Sequence, residues 1–118
     1  MLPSLPVLAK TAGVLFLVDL LWLATGGIWA RWLAERIQGE GLDLRYGAAA
    51  VVYVFLAYLL LETRSYKQAF LYGVSVYGVY DFTMMAVFKG YDWRFALADT
   101  LWGGVLFVFA RYLLRSVF

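Results

Sequence analysis

Four stretches of this 118-residue chain, at about residues 12–32, 47–62, 68–88 and 95–114, are apolar over close to the thickness of a bilayer. Nothing else in the sequence constrains the fold so tightly. A helix needs about 20 mostly apolar residues to cross the hydrocarbon core, so the chain has room for four spans and short connections. Lipid offers the backbone no hydrogen-bond partners, so each run must satisfy its own N–H and C=O groups as a helix. The expected fold class is an all-α membrane protein: an antiparallel four-transmembrane-helix bundle, both termini on the same side, with residues 1–118 forming a single transmembrane domain. Composition agrees, at 64% hydrophobic and only 15% charged residues.

The chain has no cysteine and no histidine, which removes thiol catalysis, imidazole haem ligation and the common zinc sites. No metal and no cofactor is expected. The net charge of +2 is scattered over the connections, so nucleic acid is not an expected partner. The first apolar run is longer than the core of a secretory signal and contains Asp19, so it is expected to be retained as a helix.

The first connection, roughly 34–45, is the longest polar segment. Ile28, Trp29, Trp32, Leu33 and Ile37 fall on one helical face ahead of it, as in a helix end lying at the membrane interface. The segments "ETRSYKQ" and "KGYDWR" predict tight turns. Lys10, Arg64, Lys67, Arg111 and Arg115 on the terminal side balance Arg31, Arg36, Arg45, Lys89 and Arg94 on the other. That tie sets no orientation. The acids Glu35, Glu40, Asp43 and Asp92 all lie with the second group and weigh little.

Three acids fall inside the predicted spans: Asp19, Asp81 and Asp99. An aspartate at the centre of a span is unfavourable by roughly 2.5–3.5 kcal/mol, so all three are expected to face inward. With 1.5 Å of rise per residue, Asp81 and Asp99 come to similar depths across a short turn, and Asp19 lies slightly deeper. Helical spacing sets Gly73, Tyr77 and Asp81 on one face with Tyr80 beside them, Asp19 with Trp22, and Asp99 with Trp102 and Gly103. The tetrapeptides "DLLW" (Asp19 to Trp22) and "DTLW" (Asp99 to Trp102) echo each other in helices expected to run in opposite directions, as inverted repeats do. Lys89 and Arg94 are within reach of Asp81 or Asp99 as counter-ions. Lys10 and Lys67 sit at span ends, where lysines snorkel to the interface, and among the tyrosines, which mostly suit an interface belt or packing, Tyr53, Tyr58, Tyr77 and Tyr80 are the candidates for inward roles.

The blocks "DLLWLA" and "VYDFTMMAVFKGYDWRFALADTLWGG" resemble a family of small bacterial four-helix integral membrane proteins catalogued as a domain of unknown function. Its pattern reads D-x-x-W-L, then Y-D-x-T, K-G and D-x-x-W-G. The resemblance places that pattern on Asp19, Trp22, Tyr80, Asp81, Thr83, Lys89, Gly90, Asp99, Trp102 and Gly103. It departs at Met84, where relatives commonly carry Asn. The resemblance implies a multi-pass protein of the bacterial inner membrane and no particular chemistry.

The candidate ligand or proton site is therefore Asp19, Trp22, Tyr77, Tyr80, Asp81, Thr83, Asp99 and Trp102. Such a carboxylate cluster suits binding of a small ligand or cation, with proton-coupled transport as its strongest form. The size resembles that of small multidrug exporters, which work as dimers, so a homodimer in the lipid bilayer is one expected arrangement. Two other classes fit the same residues: an intramembrane enzyme acting on a lipid, quinone or isoprenoid, and a structural or accessory subunit in which the acids pin helices together.

Overall fold

The protein is described here by a computed structural model covering residues 2–39 and 45–117. Those residues form five helices: α1 (Leu5–Thr25), α2 (Gly27–Gln38), α3 (Tyr46–Glu62), α4 (Tyr66–Val87) and α5 (Trp93–Ser116). Glu40 and Asp43, acids of the first connection, lie outside the described residues.

Local chemistry sets the boundaries. Ser4 caps α1, its side chain accepting from the Val7 N–H, with Pro6 in the first turn, where its missing N–H costs nothing. Ser65 caps α4 by accepting from the Gln68 N–H, while Gln68 Oε1 accepts from the Arg64 N–H at 2.6 Å. Asp92 caps α5 through the Arg94 N–H at 2.9 Å. Gly39 (φ 77°) closes α2, and Gly90 (φ 84°) makes the tight α4–α5 turn; both adopt the left-handed conformation that suits glycine.

The expectation of one first helix over 12–32 is corrected: the apolar run starts earlier, at Leu5, and breaks at Gly26. The Trp22 ring occupies the space where a Cβ at position 26 would stand, 2.7 Å from it. Only glycine fits under that ring. At 1.5 Å per residue the 21 residues of α1 already reach about 31 Å, so the residues after the break are surplus to a span. They form α2, which buries Leu33, half-buries Trp29 and Ile37, and leaves Ile28 and Trp32 exposed. α1, α4 and α5 are long and apolar enough to cross a membrane; α3 is equally apolar but has 17 residues.

Helix α5 is the hub, packing along α4 and against α1, while α3 rests on α1 and only lightly touches α4. Glycines let α5 and α4 approach backbone to backbone: a Cβ on Gly73 would collide with the Gly103 carbonyl, and one on Gly103 would come within 2.5 Å of Gly73 O and Tyr77. The apolar core joins Leu15, Leu56, Leu60, Leu106 and Phe107. At the far end of α3, Arg111 Nη1 donates to the Thr63 carbonyl at 2.9 Å and to its hydroxyl at 3.0 Å, tying the α3–α4 turn to α5.

Polarity is reversed from that of a soluble protein. Leu17, Leu21, Phe55 and Val79 are 60–70% exposed, whereas Asp19, Asp81 and Asp99 are 0–7% exposed. Large apolar side chains on every outer face and acids inside fit a lipid-facing exterior.

Candidate functional site

Each of the three acids lies six residues from a helix end: Asp19 from the end of α1, Asp81 from the end of α4, Asp99 from the start of α5. At 1.5 Å per residue that is about 9 Å of helix in each case. The antiparallel packing of α4 on α5, and of α1 on α5, brings those three ends together.

The two D-x-x-W tetrapeptides pair with each other. Trp102 Nε1 on α5 donates to Asp19 Oδ1 on α1 at 2.7 Å, and Trp22 Nε1 on α1 donates to Asp99 Oδ1 on α5 at 2.8 Å. The two indoles stack between these bonds, with centroids 6.0 Å apart and planes 17° from parallel. A motif with acid and indole three residues apart, set against its own copy on an antiparallel helix, puts each acid opposite the other's indole. The same register runs on to place Leu15 opposite Leu106 and Thr11 opposite Ala110, all four fully buried. The echo in the sequence is thus an interhelical exchange of hydrogen bonds, not two intrahelical acid–indole pairs.

Asp19 is saturated further by Tyr53 of α3, whose hydroxyl donates to Oδ2 at 2.5 Å. Phe16 meets the Tyr53 ring edge-on at 5.5 Å, fixing the phenol's position. Beside these residues runs an apolar groove of about 350 Å³ between α1 and α3, lined by Ala12, Phe16, Ala50 and Tyr53 among others.

Asp81 differs. It is wholly buried, and its Oδ1 accepts from the Tyr91 hydroxyl at 2.8 Å. Its Oδ2 has no donor in direct hydrogen-bond geometry among the described residues, and neither does the buried Oγ1 of Thr100. The Asp99 carboxyl and the Thr100 hydroxyl stand beside Asp81, with the two carboxyl groups within hydrogen-bonding reach of each other. Thr100 also packs its methyl against Gly78 of α4. Tyr91 sits in the α4–α5 turn, where burial first, and then its bond to Asp81, push the phenol above its usual range, so it stays a hydrogen-bond donor at neutral pH.

The structure brings Asp19, Trp22, Asp81, Asp99 and Trp102 together. Tyr77 belongs with them, half-buried against Gly103 and electrostatically in contact with Asp19, Tyr53, Asp99 and Asp81. Tyr80 is 57% exposed; the phenol that hydrogen-bonds Asp81 is Tyr91 instead. Thr83 and Lys89 are exposed on the surface of α4 and its turn. Arg94 forms an ion pair with Asp92 at 3.3 Å, outside the cluster, so it does not serve the buried acids as a counter-ion. Sequence reasoning marked Tyr53 only as a candidate for an inward role and assigned neither it nor Tyr91 nor Thr100 to the site. Thr100 follows Asp99 directly, and Tyr91 lies ten residues past Asp81 across a turn, so helical spacing within one element could not find either. Among the described residues no three acids are placed to hold a metal ion together.

The chain belongs to the family described as "Predicted membrane protein (DUF2177)", which matches residues 5–113. No curated protein and no solved structure matches it.

Proposed function

We propose that the protein crosses the membrane four times, with both termini on one side, and that Asp81 and Asp99 hold and exchange a proton as the cation site of a small proton-coupled transporter. The 17 residues of α3, apolar up to Glu62 at its end, reach about 26 Å, enough to cross a slightly thinned bilayer, and Arg45 and Arg64 lie just beyond its ends. The register of α1 on α5 and the Arg111–Thr63 tie support the antiparallel arrangement. α2, with Trp32 and Arg36 in cation–π contact at 5.4 Å, suits the interface of what the family resemblance implies is a bacterial inner membrane.

One observation carries the proton reading: Asp81 is fully buried beside Asp99, with one carboxyl oxygen lacking a direct donor among the described residues. Two carboxyl groups that close form a hydrogen bond only when one of them is protonated. The other acceptors are largely taken, Asp19 by Trp102 and Tyr53, Asp99 Oδ1 by Trp22 and Asp81 Oδ1 by Tyr91. What remains suits a proton better than an organic substrate. The test is infrared difference spectroscopy on reconstituted protein between acidic and alkaline pH, with proton flux measured in parallel. A protonated-carboxyl band that disappears in Asp81→Asn, together with the flux, supports the reading; an unchanged band and flux in that variant refute it.

A second, structural reading is favoured at Asp19 alone. Both of its oxygens accept strong donors from other helices, which suits an acid that pins α1, α3 and α5 together.

A further inference from the structure

We infer that Tyr91 is the gate through which protons reach the Asp81–Asp99 pair, a reading that rests on the proton-holding role proposed above. Asp81 has no exposed surface of its own. Tyr91, in the α4–α5 turn, is half-buried, and its hydroxyl donates to the Asp81 carboxyl at 2.8 Å, so it is the partly exposed side chain in direct contact with the wholly buried acid.

The turn holds that hydroxyl in place from both sides. Gly90 ahead of it takes the left-handed conformation, and Asp92 behind it is fixed by capping α5 and pairing with Arg94. The ring is wedged edge-on against Phe95 at 6.1 Å, and Phe95 is in turn met by Trp29 of α2 at 5.3 Å. α2 also reaches the turn through Arg36, which lies beside Gly90. The aromatic wedge under α2 therefore sets the position of the phenol that touches the buried acid. The other ionisable groups facing this phenol are Asp99 of α5 and Tyr80 of α4.

The phenol works as a relay and not as a base. Its oxygen accepts a proton from a hydronium or water at the turn as its own O–H bond breaks and that proton forms a new O–H bond on Asp81 Oδ1. Tyr91 ends as it began, neutral; the donor has lost one proton, a hydronium becoming water or a water becoming hydroxide, and Asp81 has gained one. Outward transfer reverses the same steps. Rotation of the ring away from Asp81 breaks the chain.

The test follows the carboxyl infrared band in time after a pH jump, using full-length protein in proteoliposomes. Tyr91→Phe keeps the ring and its wedge but removes the relay oxygen. Its band should reach the wild-type final amplitude, but on the order of 10²-fold more slowly, the lower end of what a positioned proton-transfer group contributes. The wild-type rate should carry a solvent deuterium isotope effect that the variant lacks. Phe95→Leu, which loosens the wedge and keeps the hydroxyl, should slow the band by a smaller factor and retain the isotope effect. A wild-type rate in Tyr91→Phe overturns the gate while the band still lost in Asp81→Asn upholds the proton pair. A band that survives Asp81→Asn refutes the proton pair itself. Because Phe95→Leu leaves every hydrogen-bonding group in place, an unchanged rate in it overturns the wedge argument even if Tyr91→Phe folds poorly.

Discussion

Replacing Trp102 by Phe tests whether the exchanged acid–indole bonds hold α1 to α5. The indole N–H meets Asp19 Oδ1 at 2.7 Å, and Asp19 is 6% exposed, so the variant leaves a buried carboxylate oxygen without that donor. A hydrogen bond to a charged acceptor contributes about 1.5–3 kcal/mol in soluble proteins. Between membrane helices the measured average is nearer 0.6 kcal/mol, with a maximum of about 1.7, because the separated helices find other partners. The stack on Trp22 adds roughly 0.5–1.5 kcal/mol, of which a phenyl ring retains part. A loss of about 2 kcal/mol is therefore expected for Trp102→Phe. The sharper quantity is the coupling in a double-mutant cycle with Asp19→Ala, expected at about 1–1.5 kcal/mol. Steric trapping or reversible unfolding in mixed micelles, followed by circular dichroism, measures both. The cycle of Trp22→Phe with Asp99→Ala should give a similar coupling, and that of Trp22→Phe with Asp19→Ala, on one helix, a smaller one. Equal coupling for the same-helix pair, or coupling below about 0.3 kcal/mol for both crossed pairs, would refute the exchange as the source of cohesion.

Gly103→Ala, whose methyl would stand 2.5 Å from the Gly73 carbonyl, should separate α4 from α5 and destabilise the fold by about 3 kcal/mol, whereas Gly13→Ala, with nothing within 4 Å, should change stability by less than about 0.5 kcal/mol. Unfolding midpoints of the two variants compare directly. Arg111→Gln removes the tie to Thr63 and should lower stability by about 1 kcal/mol, with amide exchange rising first in the α3–α4 turn. Thr83→Val and Lys89→Gln alter exposed positions, so both should leave the carboxyl infrared band unshifted. Asp92 is held below the usual carboxylate range by the Arg94 N–H and then by the Arg94 side chain. Its contribution is therefore complete above the unfolded value of about 3.9 and is lost as pH falls through the lower folded value. Asp92→Asn keeps a cap at α5 and should flatten that part of the acid unfolding curve.

Much of the helical plan follows from apolar run length, because lipid leaves the backbone no alternative to helix. Expected bounds for the last three helices fall within two residues of α3, α4 and α5. The first run could not be divided correctly from hydropathy: "ATGGIWARWL" stays apolar across the break at Gly26, over which the Trp22 ring packs. The inward acids were legible because an unpaired carboxylate facing lipid is too unfavourable to persist. Their partners were not. Asp19 and Trp22 have suitable helical spacing for a local pair, and only the antiparallel placement of α5 decides that each indole serves the other helix's acid. Tyr53 and Tyr91 lie on a different helix and in a turn, at separations that no periodicity links to Asp19 or Asp81. Tyr80 shows the opposite failure: next to Asp81 in sequence, it is 57% exposed and the phenol bonded to Asp81 is Tyr91, because neighbouring helical residues diverge by about 100°.

The exchange between α1 and α5 also bears on which acid is free to work. Asp19 and Asp99 are related by the local two-fold of that helix pair, and each receives the other helix's indole. Asp81 has no counterpart in that relation. It comes from α4, which meets α5 across Gly73, Gly78, Gly103 and Gly104, and its phenol partner comes from a turn instead of a packed helix. An acid whose two oxygens take donors from two neighbouring helices, as Asp19 does from Trp102 and Tyr53, cannot lose either bond without loosening the packing of its own helix. One whose single direct donor sits in a turn can do so by moving one side chain. Asp99 links the two regimes, one oxygen held by Trp22 and its carboxyl beside Asp81, so a proton gained by the pair alters the charge against which the Trp22 indole is bound. If Asp81 and Asp99 hold the proton as proposed, that shared carboxyl ties its arrival to the α1–α5 interface through the Trp22 bond.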